Sequence, residues 1–175
     1  MTAAEAESAG LSFARATREE RTLLQNMAQF YYYDFSEVLE MHLDQNGRFG
    51  DVDLSSYWTD EWRHPFLLKV DQKLAGFALI AERSKITGES GVFDMTEFFV
   101  LRRFRRRGIG RAAAFAAFNR FAGRWEVRQR EENPKATAFW RAVIREYTGG
   151  EYAETRWARP KWAEVVQTFS TGARP

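Results

Sequence analysis

The sequence contains no cysteine and only two histidines, His42 and His64. The absence of thiols excludes disulfide bonds, thiolate metal sites and a cysteine nucleophile. Two histidines without companions do not make a zinc site. We therefore predict no metal centre and interpret both histidines as structural residues.

Long apolar runs and a strong excess of one charge are also missing. No segment reaches the roughly 18 consecutive apolar residues of a membrane-spanning helix, and residues 1–10 have neither a basic start nor an apolar block. The 26 lysines and arginines are balanced by 24 aspartates and glutamates, and the net charge of +2 is too small for a protein that coats nucleic acid. These absences predict a soluble, unprocessed, cytoplasmic protein with no membrane partner.

Hydrophobic residues, in contrast, make up 45% of the 175 positions, which is enough for the core of one ordinary domain. We expect a flexible N-terminus over residues 1–10, a single domain over 11–170 and a tail over 171–175. Local patterns predict an α+β fold: a strand, two helices, three antiparallel strands, a helix, a strand, a helix and two strands. The predicted strands are residues 11–15, 66–70, 74–81, 91–101, 125–130, 152–157 and 161–169.

Capping signals locate the predicted helices. Thr17-Arg-Glu-Glu20 has the form of a capping box, a second helix is predicted to begin at Asp34, and an alanine-rich helix is predicted from Gly108. Asn133-Pro134 is typical of a helix start. Residues 44–60 are predicted to form a loop anchored by aromatic side chains.

One segment carries a strong chemical signal, because six of the ten residues from Arg102 to Arg111 are arginine. The segment lies between a predicted strand and a predicted helix, where free backbone N–H groups and the helix dipole favour an anion. Gly108 and Gly110 leave room for a phosphate, and arginine forms charge-assisted bonds to it. The pattern predicts a phosphate or pyrophosphate site, and a solvated basic turn is the plain alternative.

Known phosphate-binding motifs narrow this interpretation. The sequence has no G-x-x-x-x-G-K-[S/T], so it has no P-loop. Gly108-Ile-Gly110-Arg-Ala-Ala113 satisfies G-x-G-x-x-A, but a doubly wound dinucleotide fold needs more strand–helix units than this chain holds. A nucleic-acid site is disfavoured because the rest of the chain supplies no basic face.

The segment Arg105-Arg-Arg-Gly108-Ile-Gly110 matches the Q/R-x-x-G-x-G/A signature of the GNAT superfamily of acyl-CoA-dependent N-acetyltransferases. Asn133, Ala136, Phe139 and Trp140 resemble a second element of that family, an Asn followed by an Ala and an aromatic pair. The order of predicted elements is similar to the family's over about residues 11–170. The chain therefore resembles a GNAT N-acetyltransferase over nearly its whole length.

The resemblance implies a mixed, mostly antiparallel, twisted sheet of about seven strands, splayed between strands 4 and 5, with helices on both faces. It implies transfer of an acetyl group from acetyl-CoA to a primary amine by direct attack on the thioester. The acceptor is expected to be a small-molecule or peptide amine, and the three tyrosines that precede Asp34 slightly favour a small cationic amine. The alternatives are a non-enzymatic CoA- or dinucleotide-binding module and a basic-patch nucleic-acid binder.

The resemblance also assigns the CoA-binding positions. Loop amides hold the pyrophosphate, unpaired strand amides near Phe99 and Leu101 hold pantetheine, and the start of the last helix flanks the thiol. The predicted CoA-binding residues are Phe99, Val100, Leu101, Arg105, Arg106, Arg107, Gly108, Ile109, Gly110, Arg111, Asn133, Phe139 and Trp140.

The candidate bases are Glu97 and Asp94, on the strand that enters the cleft. Strand alternation sends them to opposite faces unless a bulge intervenes, and we favour Glu97 as the residue nearer the splayed end. Asp94 is expected at the surface, and Glu97 can also be an ordinary solvent-facing carboxylate. Trp140 stands where many family members have a tyrosine acid, so the acid is unassigned and Tyr147 is its only candidate.

The acceptor is predicted to meet Tyr31, Tyr32, Tyr33 and Asp34, because phenol rings and a carboxylate together can bind a cation. The alternative makes Tyr31 a core residue, Tyr32 and Tyr33 rim residues and Asp34 a helix cap. The strands at 152–157 and 161–169 are candidate edges for a homodimer.

Overall fold

The computed structural model describes residues 10–50 and 53–172. The predictions for residues 1–9 and 173–175 lie outside the described residues. The helices are α1 (Arg21–Phe35), α2 (Ser56–Thr59), α3 (Ile109–Arg120) and α4 (Pro134–Thr148). The strands are β1 (Leu11–Arg15), β2 (Arg63–Val70), β3 (Lys73–Arg83), β4 (Ser90–Val100), β5 (Gly123–Arg130), β6 (Ala153–Arg159) and β7 (Trp162–Thr171).

These strands form one seven-stranded sheet in the order β1-β2-β3-β4-β5-β7-β6. Every neighbouring pair is antiparallel except β4 and β5, which are parallel. The tight β2–β3 hairpin turns at Asp71 and Gln72, both of which have positive φ, as the right-handed twist of a hairpin requires. The predicted mixed, mostly antiparallel sheet is confirmed.

Helices cover both faces of this sheet, as predicted. On one face, Leu24, Met27 and Ala28 of α1 pack in a cluster with Leu67 and Phe77. On the other face, α3 and α4 bury their apolar sides against β2 to β5 and β7, around the fully buried Trp125 of β5. No helix among the described residues is long and apolar enough to cross a membrane.

The start of α4 follows its capping signals. Asn133 Oδ1 accepts a hydrogen bond from the Ala136 N–H at 3.1 Å, Pro134 is the first helical residue, and Gly149 in the left-handed region ends the helix. The predicted capping box is also present in part, because the Glu20 carboxylate accepts from the Thr17 N–H at 3.0 Å.

Two predictions about the elements are wrong. Asp34 begins no helix: it lies in the last turn of α1, and the following residues form turns. Its carboxylate accepts hydrogen bonds from two arginines and therefore caps nothing. The strand predicted at 161–169 is not an edge, because β7 lies between β5 and β6. Of the two candidate dimer edges, only β6 remains at the border of the sheet.

Candidate functional site

The sheet opens between β4 and β5. The two strands pair from Val92 to Met95 against Arg124 to Val127. Beyond this stretch β4 continues to Val100 and β5 to Arg130, each held only by its other neighbour. Within the described part of the chain, the divergence leaves backbone N–H and C=O groups of β4 without a partner strand, so the predicted splay is confirmed.

The backbone groups that face this opening are not the predicted ones. The Leu101 N–H donates to the Ala75 carbonyl at 2.8 Å, on the β3 side. The Phe99 carbonyl also faces β3, because a Cβ built on Gly76 would lie 2.0 Å from it. Since backbone groups alternate along a strand, the groups of Phe98 and Val100 face the opening. The prediction that Phe99 and Leu101 supply free amides was therefore one residue out of register.

Further free backbone amides lie in the loop after β4 and at the start of α3. Gly108 has a φ of 76° and precedes α3, whose first hydrogen bond runs from the Ala112 N–H to the Gly108 carbonyl at 2.9 Å. The amides of Ile109 and Gly110, at the start of the helix, therefore have no helical acceptor. A Cβ on Gly108 would meet no atom of the described residues within 4 Å. The start of α3 thus presents bare N–H groups to open space.

Several of the loop arginines are paired with carboxylates. Arg102 donates to Asp34 Oδ1 through Nε at 3.0 Å and through Nη2 at 2.7 Å. Arg105 donates to the other oxygen of Asp34 and, through Nε, to the Val100 carbonyl at 2.6 Å. Asp34 is thereby occupied by two guanidinium groups and offers no free carboxylate to a cationic substrate. Arg111 forms a further ion pair with Glu146.

The splayed strands and the loop enclose one large cleft of about 820 Å³. Among the predicted CoA-binding residues, Arg106, Gly110, Asn133, Phe139 and Trp140 border it with Phe99, Val100, Arg105, Gly108 and Arg111. Leu101, Arg107 and Ile109 do not border it, and Ile109 is buried in the core.

Glu97 reaches its position through a β-bulge. Glu97 pairs with Leu79 and Met95 pairs with Ile80, so Thr96 is the extra residue. The Tyr31 hydroxyl of α1 donates a hydrogen bond to the Glu97 carboxylate. Burial raises the pKa of Glu97 to about 7, against the opposing effect of the Tyr31 hydrogen bond. The carboxylate is therefore able to exchange a proton near neutral pH.

A second, smaller cavity of about 290 Å³ lies on the α1 face, and we call it the tyrosine pocket. It is lined by Ala28, Tyr31, Tyr32, Asp53, Leu54, Ser56, Tyr57, Arg63, Phe77, Leu79, Thr96 and Glu97, and it shares Tyr31 with the large cleft. Of the predicted acceptor residues, Tyr31 and Tyr32 line this pocket. Tyr33 is exposed and packs against Phe49 instead.

Asp94 is buried, which corrects the expectation that it lies at the surface. It is 2% exposed and accepts from Arg128 through both oxygens, at 3.1 and 2.8 Å. Arg128 also donates to Glu164 at 2.8 Å. Burial disfavours the charge on Arg128, but the two carboxylates outweigh it and raise its pKa. This ion-pair cluster ties β4, β5 and β7 together where the sheet begins to open.

We expect Asp94→Asn to reduce the free energy of unfolding by about 3–5 kcal/mol, because it leaves the buried Arg128 charge poorly compensated. Urea denaturation measures the effect. Glu131→Gln, which removes the carboxylate from an exposed ion pair with Arg156, is the matched control and should cost at most about 1 kcal/mol. Equal losses in the two variants would show that the buried cluster does not stabilise the sheet.

Tyr147 is not brought to either cavity. Its hydroxyl donates to Asn119 Oδ1 at 2.8 Å, and its ring packs edge-on against Phe115 and Phe118. The structure therefore gives Tyr147 no contact with a reacting group. Trp140, in contrast, borders the large cleft and packs against Phe98.

Sequence reasoning missed Tyr57 and Arg63 as pocket residues. Tyr57 lies on α2 within the predicted loop, and Arg63 begins β2. Neither belongs to a motif, and only the packing of α2 against β2 brings them beside Glu97. The only local signal was that three of the six residues from Tyr57 to Trp62 are aromatic.

The sequence matches the Acetyltransferase (GNAT) family over residues 24–143, which is more than half of the chain. The chain belongs to this family. A comparison with curated protein sequences gave no match. The GNAT fold is also found in similar solved structures, although their sequence identity is low.

An acetyltransferase from Thermus thermophilus is 21% identical, with a TM-score of 0.68 over 91% of this chain and 96% of that one. The ribosomal-protein-S18-alanine N-acetyltransferase of Escherichia coli is 12% identical, with a TM-score of 0.62 over 94% and 96%. A spermidine N-acetyltransferase from Vibrio cholerae, in complex with CoA and spermine, is 13% identical, with a TM-score of 0.62 over 93% and 96%.

Proposed function

We propose that this GNAT protein transfers an acetyl group from acetyl-CoA to a primary amine, by direct attack of the amine on the thioester. The observation that carries the proposal is the proximity of three features, two at the opening between β4 and β5 and one in the adjoining tyrosine pocket, which shares Tyr31 with the large cleft. These are the backbone N–H and C=O groups of Phe98 with the N–H of Val100, the N-terminus of α3 at Gly108, and the Glu97 carboxylate, which lines the adjoining tyrosine pocket.

The residues present suit CoA. Amides at the N-terminus of α3 and the side chain of Arg106 can hold the pyrophosphate, and Gly108 leaves the space that a Cβ would fill. The free edge of β4 offers donors and acceptors to the amide groups of pantetheine. The large cleft, at about 820 Å³, has room for an extended cofactor.

Bound acetyl-CoA would supply an activated acetyl thioester. Glu97 accepts the ammonium proton of the acceptor, because a carboxylate with a pKa of about 7 is partly ionised at neutral pH. The Phe98 N–H faces the opening and is the candidate donor to the developing oxyanion. Tyr31 borders both cavities, and its hydroxyl donates a hydrogen bond to the Glu97 carboxylate in the tyrosine pocket.

Calorimetric titration of the protein with CoA, NAD and a short DNA duplex tests the cofactor assignment. We expect saturable binding of CoA alone. The transfer reaction is then tested by thiol release from acetyl-CoA with a panel of amines. Binding of NAD or DNA in place of CoA would overturn the proposal, and CoA binding without amine-dependent thiol release would indicate a non-enzymatic CoA-binding module.

We expect Tyr31→Phe to displace the acidic limb of the pH–rate profile toward higher pH. The Tyr31 hydrogen bond lowers the pKa of Glu97, so its removal leaves the carboxyl protonated over a wider range. Activity should fall below about pH 7 and recover at higher pH, where the carboxyl ionises. Tyr152→Phe, which removes a hydroxyl outside both cavities, should leave the limb unchanged. An unmoved limb in Tyr31→Phe would contradict the assignment.

A further inference from the structure

The tyrosine pocket contains two hydrogen-bond donors that have no acceptor among the described residues. The Tyr57 hydroxyl is one, in a residue that is only 4% exposed, and the buried Nε–H of Arg63 is the other. A buried donor left without an acceptor costs about 1–3 kcal/mol. Both donors border the same pocket as Glu97.

Arg63 is held in this place by aromatic rings. Its guanidinium group lies 4.2 Å from the Trp62 ring centroid and 5.1 Å from the Tyr57 ring centroid. Asp60 Oδ2 lies 3.4 Å from Nε, an ion pair without a hydrogen bond. Because arginine stays charged at any physiological pH, the pocket keeps a fixed cation beside the Tyr57 hydroxyl. Burial raises the pKa of Tyr57 to about 12, against the opposing effects of Thr96 and Arg63, so the hydroxyl keeps its proton.

The carboxylates of the pocket, in contrast, already have partners. Asp53 Oδ1 accepts from the Ser55 N–H at 2.8 Å and Oδ2 accepts from the Ser55 hydroxyl at 2.8 Å, and the Asp53 side chain is 71% exposed. Arg21 is a further partner of Asp53. Glu97 accepts from Tyr31. The pocket therefore lacks a hydrogen-bond acceptor for the Tyr57 hydroxyl and the Arg63 Nε–H, and the charge of Arg63 favours an anionic acceptor there.

We propose that the acceptor is an amino acid with an apolar or aromatic side chain. Its carboxylate would accept hydrogen bonds from Arg63 and Tyr57, and its amino group would face Glu97. Leu54, Phe77 and Leu79 supply an apolar wall. The volume of about 290 Å³ is at the small end of ligand pockets. A polyamine would instead bring a second cation toward Arg63. This inference rests on the proposed function.

The test compares amino acids with the amines that lack only the carboxylate. The probes are leucine, methionine, phenylalanine, tyrosine and tryptophan, the decarboxylated amine of each, and spermidine. We expect at least one amino acid to be acetylated with a kcat/KM roughly tenfold or more above that of its decarboxylated amine, the value of one charge-assisted bond. Arg63→Met and Tyr57→Phe should raise KM for the amino acid and leave KM for the decarboxylated amine unchanged.

Arg83→Met is the matched control, because Arg83 lies 4.7 Å from the same Trp62 ring but does not border the pocket. It should change neither KM. Acetylation of the decarboxylated amines or spermidine as fast as the amino acids would overturn the acceptor class and leave the acetyltransferase proposal standing. If no probe is acetylated, the proposal that the acceptor is an amino acid is wrong. The calorimetric titration with CoA then tests the proposed cofactor independently of the acceptor. If Arg63→Met raises KM equally for the amino acid and for its decarboxylated amine, Arg63 has only a structural role.

Discussion

Glu97→Gln is expected to lower kcat by about 10²–10⁴-fold, the usual contribution of a general base. Glutamine keeps the size of the side chain and can still accept from the Tyr31 hydroxyl, but it cannot take a proton. Affinity for CoA should be unchanged, because Glu97 lines the tyrosine pocket and not the large cleft. Thiol release under saturating acceptor measures kcat, and calorimetry measures CoA affinity.

The pH dependence provides the decisive readout for this variant. In the wild-type protein, kcat/KM should rise as pH increases through about 7, because the Glu97 carboxyl loses its proton there. This limb should be absent in Glu97→Gln. Glu126→Gln is the matched control: Glu126 is another buried strand glutamate whose pKa is raised by burial, but it accepts from Ser84 and borders neither cavity. If Glu97→Gln retains a rate within about twofold of wild type, the carboxylate mechanism must be abandoned.

Gly108→Ala is expected to weaken CoA binding by roughly 10- to 100-fold, the equivalent of one charge-assisted hydrogen bond. The added Cβ would occupy the open space in front of the N-terminus of α3, where the amides are proposed to meet the pyrophosphate. The left-handed φ of 76° also strains alanine, at a cost of about 1–2 kcal/mol in stability. Calorimetry with CoA measures the loss of affinity.

Gly149→Ala separates the strain of Gly108→Ala from its effect on the ligand. Gly149 has a φ of 69°, also has open space around it, and ends α4 away from the large cleft. Thermal unfolding should show similar losses of stability in both variants, while only Gly108→Ala should lose CoA affinity. Equal CoA affinity in the two variants would contradict the assignment of a phosphate site to the start of α3.

Local sequence predicted most of the architecture, because turns, caps and strand patterns act over a few residues. Asn133-Pro134 begins α4 as predicted, Gly149 ends it, and Asp71-Gln72 forms the turn of the β2–β3 hairpin. The prediction of a second helix beginning at Asp34 was wrong for a physical reason. The Asp34 pattern resembles an N-cap, but long-range ion pairs with Arg102 and Arg105 use the carboxylate inside α1.

The register of β4 against β3 could not be predicted from the sequence either. Alternation along β4 predicts that Asp94 and Glu97 lie on opposite faces unless a bulge intervenes, and the sequence does not locate a bulge. The bulge at Thr96 shifts Glu97 against β3, toward Tyr31. Backbone groups alternate in direction along a strand, so the β4 groups that face the opening belong to Phe98 and Val100 rather than to Phe99 and Leu101.

By itself, then, the amino-acid sequence determined the family, the mixed sheet and the loop that begins α3, since these depend on a short motif and on periodic patterns. Only the tertiary structure decided which charges are free. It buried Asp94 against Arg128, paired Asp34 with two arginines, and left the Arg63 Nε–H and the Tyr57 hydroxyl without hydrogen-bond acceptors in the pocket that Glu97 lines. The availability of a charged side chain depends on partners that are distant in sequence, and a local pattern does not contain that information.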